Sequence, residues 1–244
     1  MRLAYPRADA VVAVSAGAAD DLAASLGTAR DRIVSIPNPA VTPGTRQREA
    51  EPVAHPWLAE TPGVRAVPVV LAAGRLVVKK GFALLLDAFA RARRERELRL
   101  VILGEGPMRR ALESRIATLG LGGVVALPGF VENPLAWFAR ADLFVLSSFA
   151  AGMPNALLQA MAAGCPVVAT DCPSGPREIL EDGRWGTLVP PGNAGALADA
   201  IVEALGARQL RSESRARAEA FGIEPIAARY AQLLFGEGAT DVRT

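Results

Sequence analysis

Short apolar runs alternate along most of the chain with longer segments in which apolar residues recur every three or four positions. The runs are rich in Val, Ile and Leu, which is typical of buried strands, whereas the periodic segments are typical of helices with one apolar face. The predicted strands are residues 11–15, 32–36, 69–73, 100–103, 124–127, 143–146, 166–169 and 187–189. The predicted helices are residues 18–26, 82–96, 107–119, 134–140, 155–163, 176–180, 194–205, 208–220 and 225–235.

The order of these elements predicts an α/β fold. Strands that are apolar throughout are buried on both faces, and the intervening helices cover a parallel sheet. From residue 67 onward, the pattern predicts a Rossmann-like, doubly wound parallel sheet of about six strands. A short βα unit precedes the sheet, and residues 41–68, rich in Pro and charge without a clear period, are predicted to be linker and loop.

Composition narrows the class of protein. The chain has 244 residues, of which 51% are apolar, so we expect a packed core and exclude disorder. The formal net charge is +2 with the charges spread along the chain, which argues against a nucleic-acid partner. The longest apolar run, residues 67–73, is too short to span a bilayer, and the first residues do not resemble a signal peptide. We expect a cytoplasmic location and leave peripheral association with the inner membrane face open.

The chain contains only two cysteines and one histidine. Cys165 and Cys172 lie far from the single His55, so no zinc or cysteine-nucleophile spacing is present, and we predict two inert, partly buried thiols. All but two of the 27 basic residues are arginine, and the two lysines, Lys79 and Lys80, are adjacent. This pair makes the loop that follows the strand at 69–73 worth attention.

The carboxyl ends of parallel strands are where ligands bind in doubly wound folds, so the loops at that edge carry the candidate chemistry. After the strand at 69–73 come Gly74, Arg75 and Lys80, then a helix, which suits a diphosphate: Arg offers a planar fork, Lys a mobile charge, and the helix start free N–H groups. An ordinary loop with solvated charges is the alternative, and this loop alone slightly favours it. The order of a Walker A loop is absent.

The later loops at this edge suit a nucleotide as well. Residues Gly129, Phe130 and Val131 can pair backbone groups with a nucleobase edge, although a plain hydrophobic loop is equally consistent. The loop at 152–155 can offer N–H groups to an anion or to sugar hydroxyls, while Asn155 as a simple helix cap is the competing interpretation. For Glu105, between two glycines, a turn is the better interpretation. No GxGxxG follows any strand, which disfavours a nicotinamide dehydrogenase.

These loops, in this order, resemble the donor-binding half of GT-B fold retaining glycosyltransferases of family 4. The motifs that carry the resemblance are Gly-Arg-Leu at 74–76 with Lys-Gly at 80–81, Leu-Gly-Glu-Gly-Pro at 103–107, Gly-Phe-Val-Glu-Asn-Pro at 129–134, Gly-Met-Pro-Asn at 152–155 and residues 166–180. Val-Ser at 14–15 and Ile-Pro-Asn-Pro at 36–39 look like the family's junction between domains. The resemblance covers nearly the whole chain.

The resemblance implies a sugar transfer from a nucleotide-diphosphate sugar, UDP- or GDP-linked, to an acceptor with retention, and it implies no metal and no other cofactor. It assigns Arg75 and Lys80 to the diphosphate and position 159 to the ribose hydroxyls. The donor-contact residues it implies are Gly74, Arg75, Lys80, Gly129, Phe130, Val131, Gly152, Met153, Pro154, Asn155 and Gln159. The expected partners are the donor, a glycan or lipid-linked acceptor, and a further chain supplying an N-terminal domain.

Two departures from the family pattern matter. The family usually carries two Glu eight positions apart, and here those positions hold Ala151 and Gln159, so no catalytic carboxylate is intact. The second departure is length, because only one βα unit precedes the junction. The expected organisation is a remnant of the acceptor domain at 1–38, a linker at 39–66, the donor-binding domain at 67–222 and a crossover helix and tail at 223–244. An exposed apolar patch is expected where the remnant and the last helix lack a partner.

Three functions follow from these observations. The first is a family 4 glycosyltransferase of which this chain carries the donor-binding half. The second is a catalytically impaired nucleotide-sugar-binding module that needs a partner or a further domain. The third and most distant is a sugar-phosphate epimerase or a phosphorylase, although neither lysine lies where a phosphorylase would hold pyridoxal phosphate.

Overall fold

The computed structural model describes residues 5, 8–59, 62, 65–207 and 211–236, and every structural statement below concerns those residues. The first residues of the helix predicted at 208–220 and the tail from 237 onward lie outside them. The strands are β1 (Val11–Ala13), β2 (Ile33–Ser35), β3 (Val69–Ala73), β4 (Arg99–Leu103), β5 (Val125–Gly129), β6 (Leu143–Leu146), β7 (Val167–Thr170) and β8 (Thr187–Val189). The helices are α1 (Ala16–Leu26), α2 (Thr45–Ala50), α3 (Phe82–Ala92), α4 (Arg109–Thr118), α5 (Pro134–Arg140), α6 (Asn155–Ala162), α7 (Pro176–Leu180), α8 (Ala194–Gly206), α9 (Arg211–Glu219) and α10 (Ile223–Phe235).

Strands β3 to β8 form one parallel sheet in the order β5-β4-β3-β6-β7-β8. The chain therefore runs outward from β3 to β5, returns to the centre, and runs outward again from β6 to β8. This is the doubly wound arrangement predicted from the sequence, and the number of strands is confirmed. The change of direction falls between β3 and β6, where such sheets leave a crevice at the strand carboxyl ends.

The sheet is buried on both faces because successive side chains of each strand point to opposite sides. Val69 and Leu71 belong to the apolar cluster that includes α5, α6 and α9, whereas Val70 and Ala72 belong to the cluster that includes α3, α4 and α8. All four side chains are fully buried. A strand in this position has no polar face, which is why its apolar run was recognisable in the sequence.

The N-terminal unit consists of β1, α1 and β2, with β1 and β2 paired in parallel. Its own apolar cluster is small and built largely from alanine, such as Ala19, together with Val11 and Ile33. The exposed apolar patch expected from the sequence is confirmed on α10, where Leu234 and Phe235 are 68% and 76% exposed. The expectation is wrong for the N-terminal unit, whose described part exposes no large apolar side chain because α1 is built mainly from alanine.

The segment predicted as linker contains a helix that the sequence analysis missed. Helix α2 packs beside α5, and Arg140 donates hydrogen bonds to the carbonyl oxygens of Glu49 (3.1 Å) and Ala50 (3.4 Å). The Glu49 carboxylate is buried and lies 2.9 Å from Arg215 on α9. Burial raises the pKa of this carboxyl, and nearby Arg46 opposes the shift. Because the helix is short and polar, tertiary partners rather than an apolar period hold it in place.

Both cysteines are buried, as predicted, and neither is in a disulfide. Burial raises the pKa of the Cys172 thiol, and raising a thiol pKa lowers its reactivity because the thiolate is the nucleophile. We therefore expect neither Cys165 nor Cys172 to react with the aromatic disulfide dithiobis(nitrobenzoate) in the native protein, whereas both should react in guanidinium chloride and release thionitrobenzoate. Rapid labelling of the native chain, read by absorbance and confirmed by mass spectrometry, would contradict this prediction.

Candidate functional site

A cavity of 510 Å³ opens at the carboxyl edge of the sheet, beside the central strand β3. The ends of three adjacent strands, the loops that follow them and two helices surround it, because parallel strands deliver all their following loops to the same edge. The lining residues are Ala73 at the end of β3 with Gly74 and Arg75 after it, Leu103 at the end of β4 with Gly104 and Glu105 after it, Phe130 and Val131 after β5, Pro134 and Phe138 of α5, and Ala156 and Gln159 of α6. Five of the residues proposed from the sequence to contact a donor line this one cavity.

The floor of the cavity depends on two loops that touch backbone to backbone. The Gly74 N–H donates to the Leu103 carbonyl at 3.0 Å, and the Leu76 N–H donates to the Glu105 carbonyl at 2.8 Å. A Cβ atom at Gly104 would lie 2.1 Å from the Gly74 carbonyl oxygen, and the φ of Gly104 is +129°. Only glycine is compatible with this approach, so the Leu-Gly-Glu-Gly motif is a packing requirement of the cavity floor.

Two cationic side chains flank the start of α3. Arg75 lines the cavity and is exposed to solvent. Lys80 does not line the cavity, but its side chain runs past Gly74, where a Cβ atom would lie 3.4 Å from the lysine Cε. Burial lowers the pKa of Lys80, and the neighbouring Lys79 lowers it further. Arg75 is therefore a solvent-exposed cation in the cavity lining, whereas Lys80 is a partly desolvated cation whose side chain passes Gly74 of the same lining.

An ion pair that the sequence analysis did not find lies at the opposite end. Both carboxylate oxygens of Glu105 accept hydrogen bonds from Arg109, at 2.6 and 2.8 Å, and Arg109 also donates to the Leu127 carbonyl at 3.3 Å. The hydrogen bond from Arg109 lowers the pKa of Glu105. Glu105 was interpreted as a turn residue, yet it lines the cavity. The four-residue spacing of Glu105 and Arg109 was the available signal.

The loop after β5 forms the rim of the cavity. Phe130 is 78% exposed, and Val131 lies behind it in contact with the apolar core. Gly129 does not line the cavity but lies against Glu105, whose Oε1 would be 2.9 Å from a Cβ atom at Gly129. An exposed aromatic ring beside backbone groups at a cavity rim can cover the face of a planar ligand.

Residues 152–155, here called the anion loop, lie beside the cavity rather than in its lining. Gly152 approaches Val14 of the N-terminal unit, and Met153 lines a separate cavity of 300 Å³ at that seam. The Asn155 N–H already donates to the Met153 carbonyl at 3.0 Å, and Pro154 has no N–H. The interpretation of Asn155 as a helix cap is wrong: Pro154 occupies the cap position, and the Asn155 side chain accepts from Asn38 at 3.4 Å.

The two positions where the chain departs from the family pattern lie in or near helix α6. Gln159 is in the helix, and Ala151 is in the loop before it. Gln159 lines the cavity one turn beyond the start of α6, on the same face as Ala156. Ala151 is half-buried in the loop before the helix and has no polar side-chain atom. Within the described ranges, no three His, Cys, Asp or Glu side chains come together as a metal site. No described helix is long and apolar enough to cross a bilayer.

The comparison with protein families decides the assignment. The sequence profile described as "Glycosyl transferases group 1" matches residues 67–207, more than half of the chain. This chain belongs to the family of group 1 glycosyl transferases. The matched segment begins just before β3 and ends after α8, so it contains every residue that lines the 510 Å³ cavity.

Curated relatives of this chain are named as sugar transferases. It is 32% identical over 238 residues to the N-acetylgalactosamine-N,N'-diacetylbacillosaminyl-diphospho-undecaprenol 4-alpha-N-acetylgalactosaminyltransferase of Campylobacter jejuni, covering 96% of the chain and 62% of the relative. It is 34% identical over 172 residues to the lipopolysaccharide core biosynthesis glycosyltransferase LpsE of Rhizobium meliloti, covering 68% of the chain and 49% of the relative. The chain thus spans less than two thirds of the length of these relatives.

Solved structures agree with the GT-B architecture. The Anabaena protein HepE in complex with UDP and glucose is 25% identical and superposes with a TM-score of 0.78, over 95% of this chain and 64% of HepE. TarM of S. aureus, solved with UDP among its ligands, is 21% identical with a TM-score of 0.77 over 94% of this chain, which supports the shared fold. The chain therefore has the doubly wound α/β fold that the sequence predicted.

Proposed function

We propose that this chain binds a nucleoside-diphosphate sugar in the 510 Å³ cavity and serves as the donor half of a retaining glycosyltransferase. The observation that carries the proposal is that Gly74, Arg75, Phe130, Val131 and Gln159, singled out separately from the sequence, line one cavity at the sheet edge. The UDP and glucose bound to HepE, whose structure matches nearly all of this chain, support the same class of ligand.

In the chemistry we propose, positively charged side chains lie where negative charge develops on the leaving diphosphate. The bond between the anomeric carbon and the diphosphate oxygen breaks, and both electrons leave on the diphosphate. An acceptor hydroxyl oxygen bonds to the same carbon on the face that the diphosphate leaves, and its proton is released. Arg75 and Lys80 stabilise the growing negative charge of the diphosphate, and neither a metal nor a further cofactor is required. The acceptor we expect is a glycan or a lipid-linked glycan, met at the cytoplasmic face of the membrane.

The proposal is tested by titrating the chain calorimetrically with UDP and GDP, with and without EDTA. We expect saturable binding of at least one nucleotide, unchanged by EDTA. Absence of binding for both nucleotides would overturn the proposal. The sequence and the fold fit both bases, so the comparison also identifies the base.

Gln159 gives a sharper test of where the ribose lies. We expect the bound nucleotide to lose about fivefold in affinity when the ribose hydroxyl facing Gln159 is removed, since one neutral hydrogen bond contributes about 1 kcal/mol. The measurement compares the nucleotide with its 2′-deoxy and 3′-deoxy analogues. Gln159→Leu should abolish the discrimination, whereas Gln47→Leu, an exposed glutamine outside this cavity, should keep it. Discrimination that survives in Gln159→Leu would place the ribose elsewhere.

A catalytically impaired binding module is the second candidate, because Ala151 offers no polar atom where the family usually has a carboxylate. This candidate predicts that the chain binds a nucleotide sugar without turning it over. Supplied with a related acceptor domain, the Ala151→Glu and Gln159→Glu double variant should gain turnover if the missing carboxylates are the defect. Turnover by the unaltered chain under the same conditions would exclude the impaired module.

A further inference from the structure

The N-terminal unit meets the sheet domain at the first turn of α1, and a residue from the other side of the seam caps that turn. Glu178 on α7 accepts the Ala16 N–H at 2.8 Å through one oxygen and the Gly17 N–H at 3.1 Å through the other. The helix's own cap, Ser15, accepts from the Ala18 N–H at 3.2 Å. The first N–H groups of a helix lack partners within it and favour negative charge, so a carboxylate from another segment is well suited to hold α1.

The same seam contacts the anion loop. A Cβ atom at Gly17 would lie 2.8 Å from the Ser174 Oγ, so α1 packs directly on the loop before α7. A Cβ atom at Gly175 would lie 2.7 Å from the Gly152 carbonyl oxygen, so that loop in turn packs directly on the anion loop. Val14 of the N-terminal unit also approaches the anion loop, since its Cγ2 would lie 3.5 Å from a Cβ atom at Gly152. Residues 152–154 are therefore held between the start of α1 and the start of α7.

The backbone of Glu178 is held in place by a residue of α9. Arg217 on α9 donates to the carbonyl oxygens of Glu178 and Ile179, both at 3.0 Å, and pairs with the Glu181 carboxylate at 3.0 Å. Helix α7 thus belongs to the rigid side of the seam. If α1 moves away by more than the Glu178 side chain can reach, the two hydrogen bonds to Glu178 break, because the Glu178 backbone is held on the sheet domain.

We propose that Glu178 is a positioning residue that locks the N-terminal unit onto the anion loop and thereby sets the position of α6, which directly follows this loop and lines the 510 Å³ cavity with Ala156 and Gln159. Glu178 does not line the 510 Å³ cavity and lines only the seam cavity, so it acts through the loop and not by touching the donor. The inference rests on the proposed function, since it concerns how the donor site is assembled. It also implies that movement of the N-terminal unit is communicated to the donor site through this carboxylate.

The test measures the contact and its consequence separately, on the full chain. Amide hydrogen exchange resolved by NMR should accelerate at Ala16 and Gly17 in Glu178→Ala, by tenfold or more, because both amides lose their acceptor. UDP affinity, or that of GDP if the chain binds GDP, should fall about tenfold in Glu178→Ala. Glu178→Gln, which keeps one acceptor oxygen, should lie between the wild type and Glu178→Ala in both measurements.

Ser15→Ala is the matched control, because it removes the other cap of the same helix without removing the link across the seam. It should reduce thermal stability and leave nucleotide affinity within twofold of the wild type. If Ser15→Ala weakens nucleotide binding as much as Glu178→Ala does, helix stability alone explains the effect and the proposal is wrong. Faster exchange with unchanged nucleotide affinity in Glu178→Ala also overturns it. A wild-type chain that binds neither nucleotide contradicts the proposed function instead, and exchange at Ala16 and Gly17 still reports whether the contact exists.

Discussion

Replacing Lys80 by alanine is expected to lower the affinity of the chain for its nucleoside diphosphate by about a hundredfold, the size of one or two charge-assisted hydrogen bonds. The Lys80 side chain runs past Gly74 at the edge of the cavity and is partly desolvated, so its charge is poorly screened by water. Its backbone is held in place, because Ser147 Oγ donates to the Lys80 carbonyl at 2.9 Å. A cation held at a fixed point beside a diphosphate interacts more strongly than a solvated one.

Lys79→Ala is the matched control, and we expect it to change the affinity by about twofold or less, in the range of an exposed surface charge. Lys79 carries the same charge one residue away but is exposed. Calorimetric titrations at two salt concentrations check both variants, and the small Lys79 effect should shrink at high salt. Equal losses in the two variants would mean that the loop acts by general attraction and that Lys80 has no specific role.

Replacing Gly81 by alanine is expected to lower the free energy of unfolding by about 3 kcal/mol or more, because strain and overlap act together at this position. The φ of Gly81 is +66°, and a Cβ atom there would lie 1.9 Å from the Ser147 carbonyl oxygen at the end of β6. Neither atom can move far, since one belongs to the start of α3 and the other directly follows a central strand. The variant should also weaken nucleotide binding, because the loop that carries Lys80 must shift.

Gly120→Ala separates the two causes. Gly120 has the same φ of +66°, but nothing lies within 4 Å of the Cβ position. It should therefore show only the strain of a left-handed residue, about 1 kcal/mol, with nucleotide affinity unchanged. Denaturant unfolding followed by circular dichroism gives both free energies. Equal losses in the two variants would show that the contact with Ser147 has no energetic weight.

The central strands of the sheet were predictable because they are buried on both faces. The runs at β3 and β6 were predicted with the bounds that the structure shows, since a central parallel strand has no polar positions that would obscure its limits. The bounds of β8 were also predicted, although β8 is an edge strand with partly exposed Thr187 and Leu188. The helix α3 was predicted to reach residue 96 and ends at Ala92. The charged residues that follow continue a helical composition, but Arg94 and Glu95 are exposed and contribute no apolar side chain that would stabilise a further turn.

The segment at 41–68 shows where pattern alone is insufficient. Helix α2 has no apolar period, and its most buried charged residue, Glu49, is stabilised by Arg215 more than 160 residues away in the sequence. Such a helix forms because α5 and α9 supply partners for its polar groups. No local window of sequence contains that information.

Some residues of the site were also predictable from the sequence, whereas others were not. Gly74, Arg75, Phe130, Val131 and Gln159 were found from their positions after strands or from the family resemblance, because a parallel sheet directs its loops to one edge. The role of Glu105 was missed although its partner Arg109 lies only four residues away, because the approach of Gly129 to this pair becomes visible only when two loops are folded together. The seam contact of Glu178 was equally invisible.

By itself, the sequence determined the family, the doubly wound sheet and the set of loops that surround the cavity. Strands buried on both faces and glycines at strand ends each produce a pattern in consecutive residues, so they are recognisable without the structure. Only the tertiary structure decided that Lys80 lies beside the cavity, that Asn155 does not cap its helix, and that Glu178 holds the N-terminal unit. Those outcomes depend on distances between residues that are far apart in the chain. Packing sets such distances, and neither periodicity nor composition contains information about them.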